Sequence, residues 1–407
     1  MSTGGAHRVA VVGEGHRVTT LELFFDLVFV YAITQVTGLM GARTSALSLV
    51  QGLLLLAVLW WCWCCYAWLG TTVRADEGLA RLALLAAMAV MFLVSLTIPE
   101  AFEDAPGGLN APLFFAGCYL AVRVLHVAAY LLVGRDMADA ALVAVLHRLA
   151  VPMLAGTVLL AAAAFTSGPA QLALWGLALA VDYAGVFLAG PRGWRLESPA
   201  HFAERHGLIV IIALGESIVA IGVGVAGLPM SWLVVLTSVL GLTVAASIWW
   251  MYFDVAASVA EHRLSQLTGR PRMTMARDSY TYLHLPMIGG IVLLALGLKK
   301  ALFYVADTEH YAPTKPLQGI PLWALTAGVA LFLVAHSAFR RRNIGAWNRQ
   351  RLVLAALLLA VTPLLGAMPA AAAVGAVAAG CVLLICYERW RYGAWRAQIR
   401  GHAGTDP

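Results

Sequence analysis

The stretch LELFFDLVFVYAITQVTGLM, Leu21–Met40, decides the fold. At 1.5 Å per residue it is long enough to cross the ~30 Å hydrocarbon core of a bilayer as an α-helix, and its only charges are Glu22 and Asp26. The polar residues ahead of it, with Arg8 and Arg17, lack the charged, apolar and small-residue layout of a cleavable signal peptide, so the run is expected to remain as a membrane helix. Further apolar runs follow near 48–69, 79–98, 112–133, 149–166, 170–190, 207–227, 231–253, 279–298, 320–339, 351–366 and 369–388, which makes twelve in all. The composition has room for that number: of 407 residues 61% are hydrophobic and 12% charged, and the mean hydropathy is +0.82. Such a balance excludes a soluble enzyme. The longest stretch between runs, about Asp254 to Asp278, is too short to hold a separate domain core.

Charge sets the expected topology. Of the 27 basic residues, 22 fall on the N-terminus, every second connection and the C-terminal tail, including Arg205 and Arg351. The alternate connections hold 4 (Arg43, Lys299, Lys300 and Lys315), and Arg123 lies inside a run. This bias puts both termini in the cytoplasm of a multi-pass protein of the cytoplasmic (inner) membrane. The net charge of +6 is thereby used as loop anchors, so the bilayer is the expected partner and nucleic acid is not. A homo-oligomer is compatible with this reading.

The two halves share ordered matches. Leu56–Trp61 lies against Ala245–Trp250 at an offset of 189, and Phe25–Val28 against Gly215–Ile218 at an offset of 190. Met88 then aligns with Met287 and His126 with His336. The expected fold class is an all-α polytopic membrane protein, about twelve transmembrane helices as two parallel six-helix repeats. The expected layout is a cytoplasmic N-terminal segment 1–20, a first repeat 21–190, a cytoplasmic linker 191–206, a second repeat 207–388 and a cytoplasmic tail 389–407.

A charge near the bilayer centre costs several kcal/mol unless paired or hydrated, so charges inside the runs are the informative residues. Glu22 and Asp26 share one face of the first run. Counting 1.5 Å per residue, Asp26 comes out about 7 Å inside the cytoplasmic end, Glu216 about 14 Å into the seventh run and Arg123 about 16 Å into the fourth. Asp182, in the sixth, is the third deep acid. These four are expected to form one polar cluster between the repeats, with a plain Arg123–acid packing pair as the alternative. His126, on the face of Arg123, and His284 are candidate proton relays, and each equally suits a local hydrogen bond.

Other motifs carry less. His201, Glu204 and His206 have metal-ligand residue types, but a cytoplasmic cap explains them as well. Cys62, Cys64 and Cys65 lack a paired C-x-x-C and suit an apolar helix, and all six cysteines fall within expected spans, so no disulfide is implied. There is no G-x-S-x-G and no H-E-x-x-H. No metal and no cofactor are expected. Gly215, Gly222, Gly224 and Gly227, with Gly289, Gly290 and Gly297, read as close-packing or flexing positions. Pro286 is placed to kink the ninth run.

The segments ELFFDLVFV from Glu22, ERHGLIVIIALGES from Glu204 and RDSYTYLHLP from Arg277 together resemble the bacterial low temperature requirement A family. The resemblance implies an integral membrane protein named for a growth phenotype in the cold, and its motif residues here are Glu22, Asp26, Glu204, Arg205, Glu216, Asp278 and His284. The first span is also similar to the Phe-Ser-Asp helix of two-repeat, six-plus-six potassium channels, although Phe25 stands where those have serine.

The function expected from these features is movement of a small solute, cation or proton through a polar pathway between the repeats. Asp26 and Glu216 are the sites, Arg123 and Asp182 set their charge state, and His126 and His284 are relays. The alternatives are an intramembrane enzyme acting on a lipid-linked substrate, using Glu22, His201, Glu204 and His206, and a non-catalytic membrane scaffold.

Overall fold

The computed structural model describes residues 17–72, 77–136, 140–190 and 193–403. Most of the expected N-terminal segment lies outside these residues, as do Arg8, Arg74 and Arg192 among the expected loop anchors. The chain is all-helical, with an isolated Pro316–Pro369 bridge and no longer strand among the described residues. In order it forms α1 (Thr20–Arg43), α2 (Ala46–Leu69), α3 (Gly78–Thr97), α4 (Ala111–Asp136), α5 (Ala140–Ala163), α6 (Gly168–Ala189) and α7 (Pro199–Val225). There follow α8 (Trp232–Phe253), α9 (Ala256–Gln266), α10 (Gly269–Met275), a π-helical segment Ala276–Tyr282, α11 (His284–Ala306), α12 (Gly319–Ile344), α13 (Arg349–Leu365) and α14 (Ala370–Ala403).

Every one of the twelve expected runs is helical. Ten of the described helices are long and apolar enough to cross a membrane. The other two runs are shorter: an apolar helix Leu149–Ala163 within α5, and α13, whose 17 residues begin at Arg349 and contain Pro363. Polar chain also folds further than its composition suggested. The stretch after α8 is helical as α9 and α10, and α14 runs 34 residues, well past the apolar run that begins it.

Local chemistry sets the helix ends. Thr19 and Glu22 form a capping box at α1: Thr19 N–H donates to Glu22 Oε2 at 2.9 Å and Glu22 N–H to Thr19 Oγ1 at 3.2 Å. Ser231 accepts from Val234 N–H to start α8, and Asn348 from Arg351 N–H to start α13. Gly345 ends α12 in the left-handed region at φ 84°.

The described residues divide into two compact units. One is built from Met1–Arg43, Leu47–Arg205 and Leu267–Ala276, the other from Thr44–Ala46, His206–Gln266 and Arg277–Pro407. In the first unit α1 packs on α3, α3 on α4, α4 on α5 and α5 on α6. Trp61 of α2 stacks on Tyr183 of α6 at 4.0 Å between ring centroids. In the second, α11 packs on α12, α12 on α13, α8 on α14, and α11 also touches α8 and α14. From Met287 to Leu298 every residue of α11 is buried, so this helix is the core of its unit. Gly290 and Gly297 let it approach α12 closely: a Cβ at Gly290 would lie 2.6 Å from Gly328 O, and one at Gly297 2.5 Å from Leu325 N.

Candidate functional site

The first unit gathers Glu22 and Asp26 of α1, Trp63 of α2, and His201 and Arg205 of α7. A four-residue spacing puts the two acids on one face of α1, and the same spacing aligns His201 with Arg205 on α7. Arg205 spans both carboxylates, Nη1 lying 2.9 Å from Glu22 Oε1 and Nη2 2.8 Å from Asp26 Oδ1. His201 Nε2 is 3.0 Å from Glu22 Oε2, which also accepts from the Thr19 hydroxyl. Trp63 Nε1–H donates to Asp26 Oδ1 at 2.9 Å, and its ring lies 5.6 Å from the Arg205 guanidinium carbon. All four ionisable groups are at most 1% exposed. Gly70 makes room for this packing, because a Cβ there would come within 2.5 Å of Glu22 Oε1.

Two features of this set bear on chemistry. There are two acids for one guanidinium, so it is neutral only when one further proton or cation is held. Asp26 Oδ2 and Arg205 Nε, both buried, have no hydrogen-bond partner among the described residues. A buried acceptor and donor left open are where water, a proton or a polar solute is accommodated at least cost.

A second set lies in the same unit. Arg123 of α4 donates to Asp182 Oδ1 of α6 at 2.9 Å and to Cys65 Sγ of α2, while the Tyr119 hydroxyl donates to Asp182 Oδ2. Trp61 and Tyr119 flank the guanidinium with ring centroids at 5.9 and 6.0 Å. His126 sits one turn further along α4, its ring 5.7 Å from Tyr66 and 5.1 Å from Tyr130, and its Nε2 has no hydrogen-bond partner among the described residues. The Tyr66 ring in turn lies 5.2 Å from Phe25, beside the acids of α1.

The second unit holds its own buried pair. Arg351 of α13 grips Glu388 of α14 in a bidentate arrangement, Nε to Oε1 and Nη2 to Oε2 at 2.9 Å each. Nη1 donates to Met251 O at 3.1 Å and to His336 Nδ1 at 2.7 Å, so the His336 proton sits on Nε2. A cavity of about 40 Å³ beside them is bordered by Asp254, Arg340 and Asn348 and has room for water. At the start of α11, directly after the π-helical segment, His284 Nδ1 lies 2.9 Å from Ser279 O and Nε2 2.8 Å from the Tyr252 hydroxyl. Since a carbonyl oxygen only accepts, Nδ1 carries the proton and Nε2 accepts from Tyr252.

The structure distributes the expected site residues as follows. Arg123 and Asp182 come together as a pair, and Asp26 is held instead by Arg205. Glu216, also buried, belongs to the second unit. Of the expected metal-type trio, His201 bonds Glu22, Glu204 accepts from Val18 N–H at 3.3 Å, and His206 packs on Tyr280 and His284. Asp278 pairs with Arg277 and Arg342.

Charge sorting missed two residues. Arg205 and Arg351 read as loop anchors, yet they are 1% and 4% exposed and carry the main ion pairs of their units. Each lies within the first turns of a helix, so an apolar-run boundary assigns it to the adjoining loop. For Arg205 the available signal was its place in a long motif with Glu204 and Glu216; Arg351 had none.

The sequence profile described as "Bacterial low temperature requirement A protein (LtrA)" matches residues 17–386. An uncharacterized protein of Rhizobium meliloti (strain 1021) is 30% identical over 293 residues, covering 68% of this chain and 67% of that one. No solved structure matches.

Proposed function

The chain belongs to the bacterial low temperature requirement A family, and from its buried charges we propose that it is a transport protein moving a small solute or cation, coupled to proton movement, along a polar pathway. The observation that carries the reading is Asp26: one oxygen accepts from both Arg205 and Trp63, the other is open, and the surrounding set holds one acid more than its arginine balances. In this reading Asp26 takes up and releases the proton or cation, and Glu216 does so in the second unit. Glu22 is the constant counter-charge of Arg205, its oxygens already engaged by Arg205, His201 and Thr19. Arg123 and Asp182 neutralise each other and fix helix packing. His126 is a relay candidate, and Tyr252–His284 is a hydrogen-bonded pair able to pass a proton.

A duplicated architecture is part of the proposal and is supported by parallel packing inside the units. In each, the third helix of the set packs on the fourth and the fourth on the fifth, and an arginine of the fourth or fifth grips an acid of the sixth. The charge bias supports cytoplasmic termini. The enzyme reading is weakened by Glu22 and His201, which are hydrogen-bonded to each other at 1% and 0% exposure, where a lipid-linked substrate has no access.

The test is flux and proton uptake in proteoliposomes containing purified protein. Asp26→Asn and Glu216→Gln are each expected to abolish proton-coupled uptake while leaving the folded yield intact. Flux and proton uptake unchanged in both variants would reject the assignment.

A further inference from the structure

Within the first unit, away from the buried pairs, the connection ahead of α7 and the start of α10 border an open cavity of about 350 Å³. One wall is Trp194, Arg195, Leu196 and Glu197; the other carries Arg270 and Arg272. Three arginines against one glutamate leave this surface positive. Arg272 ties the walls together, Nη1 donating to Leu196 O at 3.3 Å and Nε to Leu267 O. Trp194 is half-buried and backed by Trp68 and Tyr130, each 5.8 Å away between ring centroids. Arg195 and Arg270 stand exposed at the rim.

This combination has a chemical meaning. A guanidinium matches a phosphate in a planar, two-point geometry. A volume near 350 Å³ is about twelve times the ~30 Å³ share of one liquid water, enough for a phosphate and the glycerol or sugar attached to it. The Trp194 indole, packed on the helix-borne rings of Trp68 and Tyr130, is of the type found at the headgroup level of membranes. Basic pockets of this kind beside membrane helices recognise lipid phosphates.

We propose that this cavity binds a phosphate ester, with Arg195 and Arg270 closing on the oxyanion and Arg272 holding the two walls at the spacing the ligand needs. The ligand's phosphate is supplied either by an anionic phospholipid headgroup or by a soluble phosphate monoester. The site is separate from the carboxylates of the transport proposal and does not depend on it.

The test uses the full-length protein and Arg195→Gln/Arg270→Gln, with Arg389→Gln, an exposed arginine of the second unit, as the control. Lipid retention is measured by native mass spectrometry after reconstitution with equal phosphatidylglycerol and phosphatidylcholine. Glycerol 3-phosphate and inorganic phosphate are titrated separately and read as a thermal shift. The expected result is at least a tenfold preference for phosphatidylglycerol, or a saturable shift with a soluble phosphate, lost in the double variant and kept in the control. The first outcome identifies the lipid as the source and the second a soluble ester. If the wild type and the double variant are indistinguishable in both arms, the proposal is overturned.

Discussion

Arg205 Nη2 lies 2.8 Å from Asp26 Oδ1, and the same guanidinium reaches Glu22 with its other terminal nitrogen, so a single cation from α7 holds both acids of α1. The contact joins residues 179 positions apart in the chain.

Removing that cation leaves two buried carboxylates held only by hydrogen bonds, Glu22 to Thr19 and His201 and Asp26 to Trp63. Arg205→Ala should cost about 3–5 kcal/mol of stability, read as a large drop in thermal unfolding temperature in detergent. Adding Glu22→Gln and Asp26→Asn to Arg205→Leu should recover most of the loss, because the unpaired charges are then gone. A triple variant no more stable than Arg205→Ala would show that the guanidinium stabilises the helices by packing rather than by charge.

Gly297 faces the α12 backbone rather than a flexible side chain, with Leu325 N and Cα at 2.5 and 2.6 Å from an added Cβ. Gly297→Ala should therefore destabilise by about 1–3 kcal/mol, and Gly297→Leu by more. Gly222, in α7, has nothing within 4 Å of an added Cβ, so Gly222→Ala should match or slightly exceed wild-type stability. Equal melting temperatures for the two alanine variants would contradict the close approach of α11 and α12.

His310 lies in the connection after α11, where its Nδ1 is 2.9 Å from Asp307 Oδ1. The hydrogen bond and the charge of Asp307 raise the histidine above its ordinary value, and the nearby Glu309 adds to this. The raised value means that the paired imidazolium's contribution is complete below the ordinary histidine range and disappears as pH rises through the raised value. Asp307→Asn should return His310 to the ordinary range. An imidazole titration followed by NMR would show the midpoint fall in the variant; an unchanged midpoint would mean that the pair does not form in solution.

The spans were legible because insertion into hydrocarbon depends on the summed hydropathy of each segment, a property of consecutive residues. That is why all twelve apolar runs are helices and why three motifs sufficed to recognise the family. The same reasoning misplaced Arg205 and Arg351. A guanidinium near a helix start counts as a loop anchor until a facing helix is known to supply carboxylates, and the carboxylate of Glu388 arrives from 37 residues away.

Asp26, Arg123, Asp182 and Glu216 show the same division. Their presence inside apolar runs marked them as costly and therefore informative. Their grouping followed from helix rotation and neighbours: Arg123 met Asp182, Asp26 met Arg205 and Trp63, and Glu216 fell in the second unit. The sequence by itself determined which segments form long apolar helices and which charges are exceptional, since both depend on local composition. Only the tertiary structure decided which charges neutralise one another and that Asp26 keeps an open oxygen, because an ion pair is a short-range contact between helices and is set by how their faces turn.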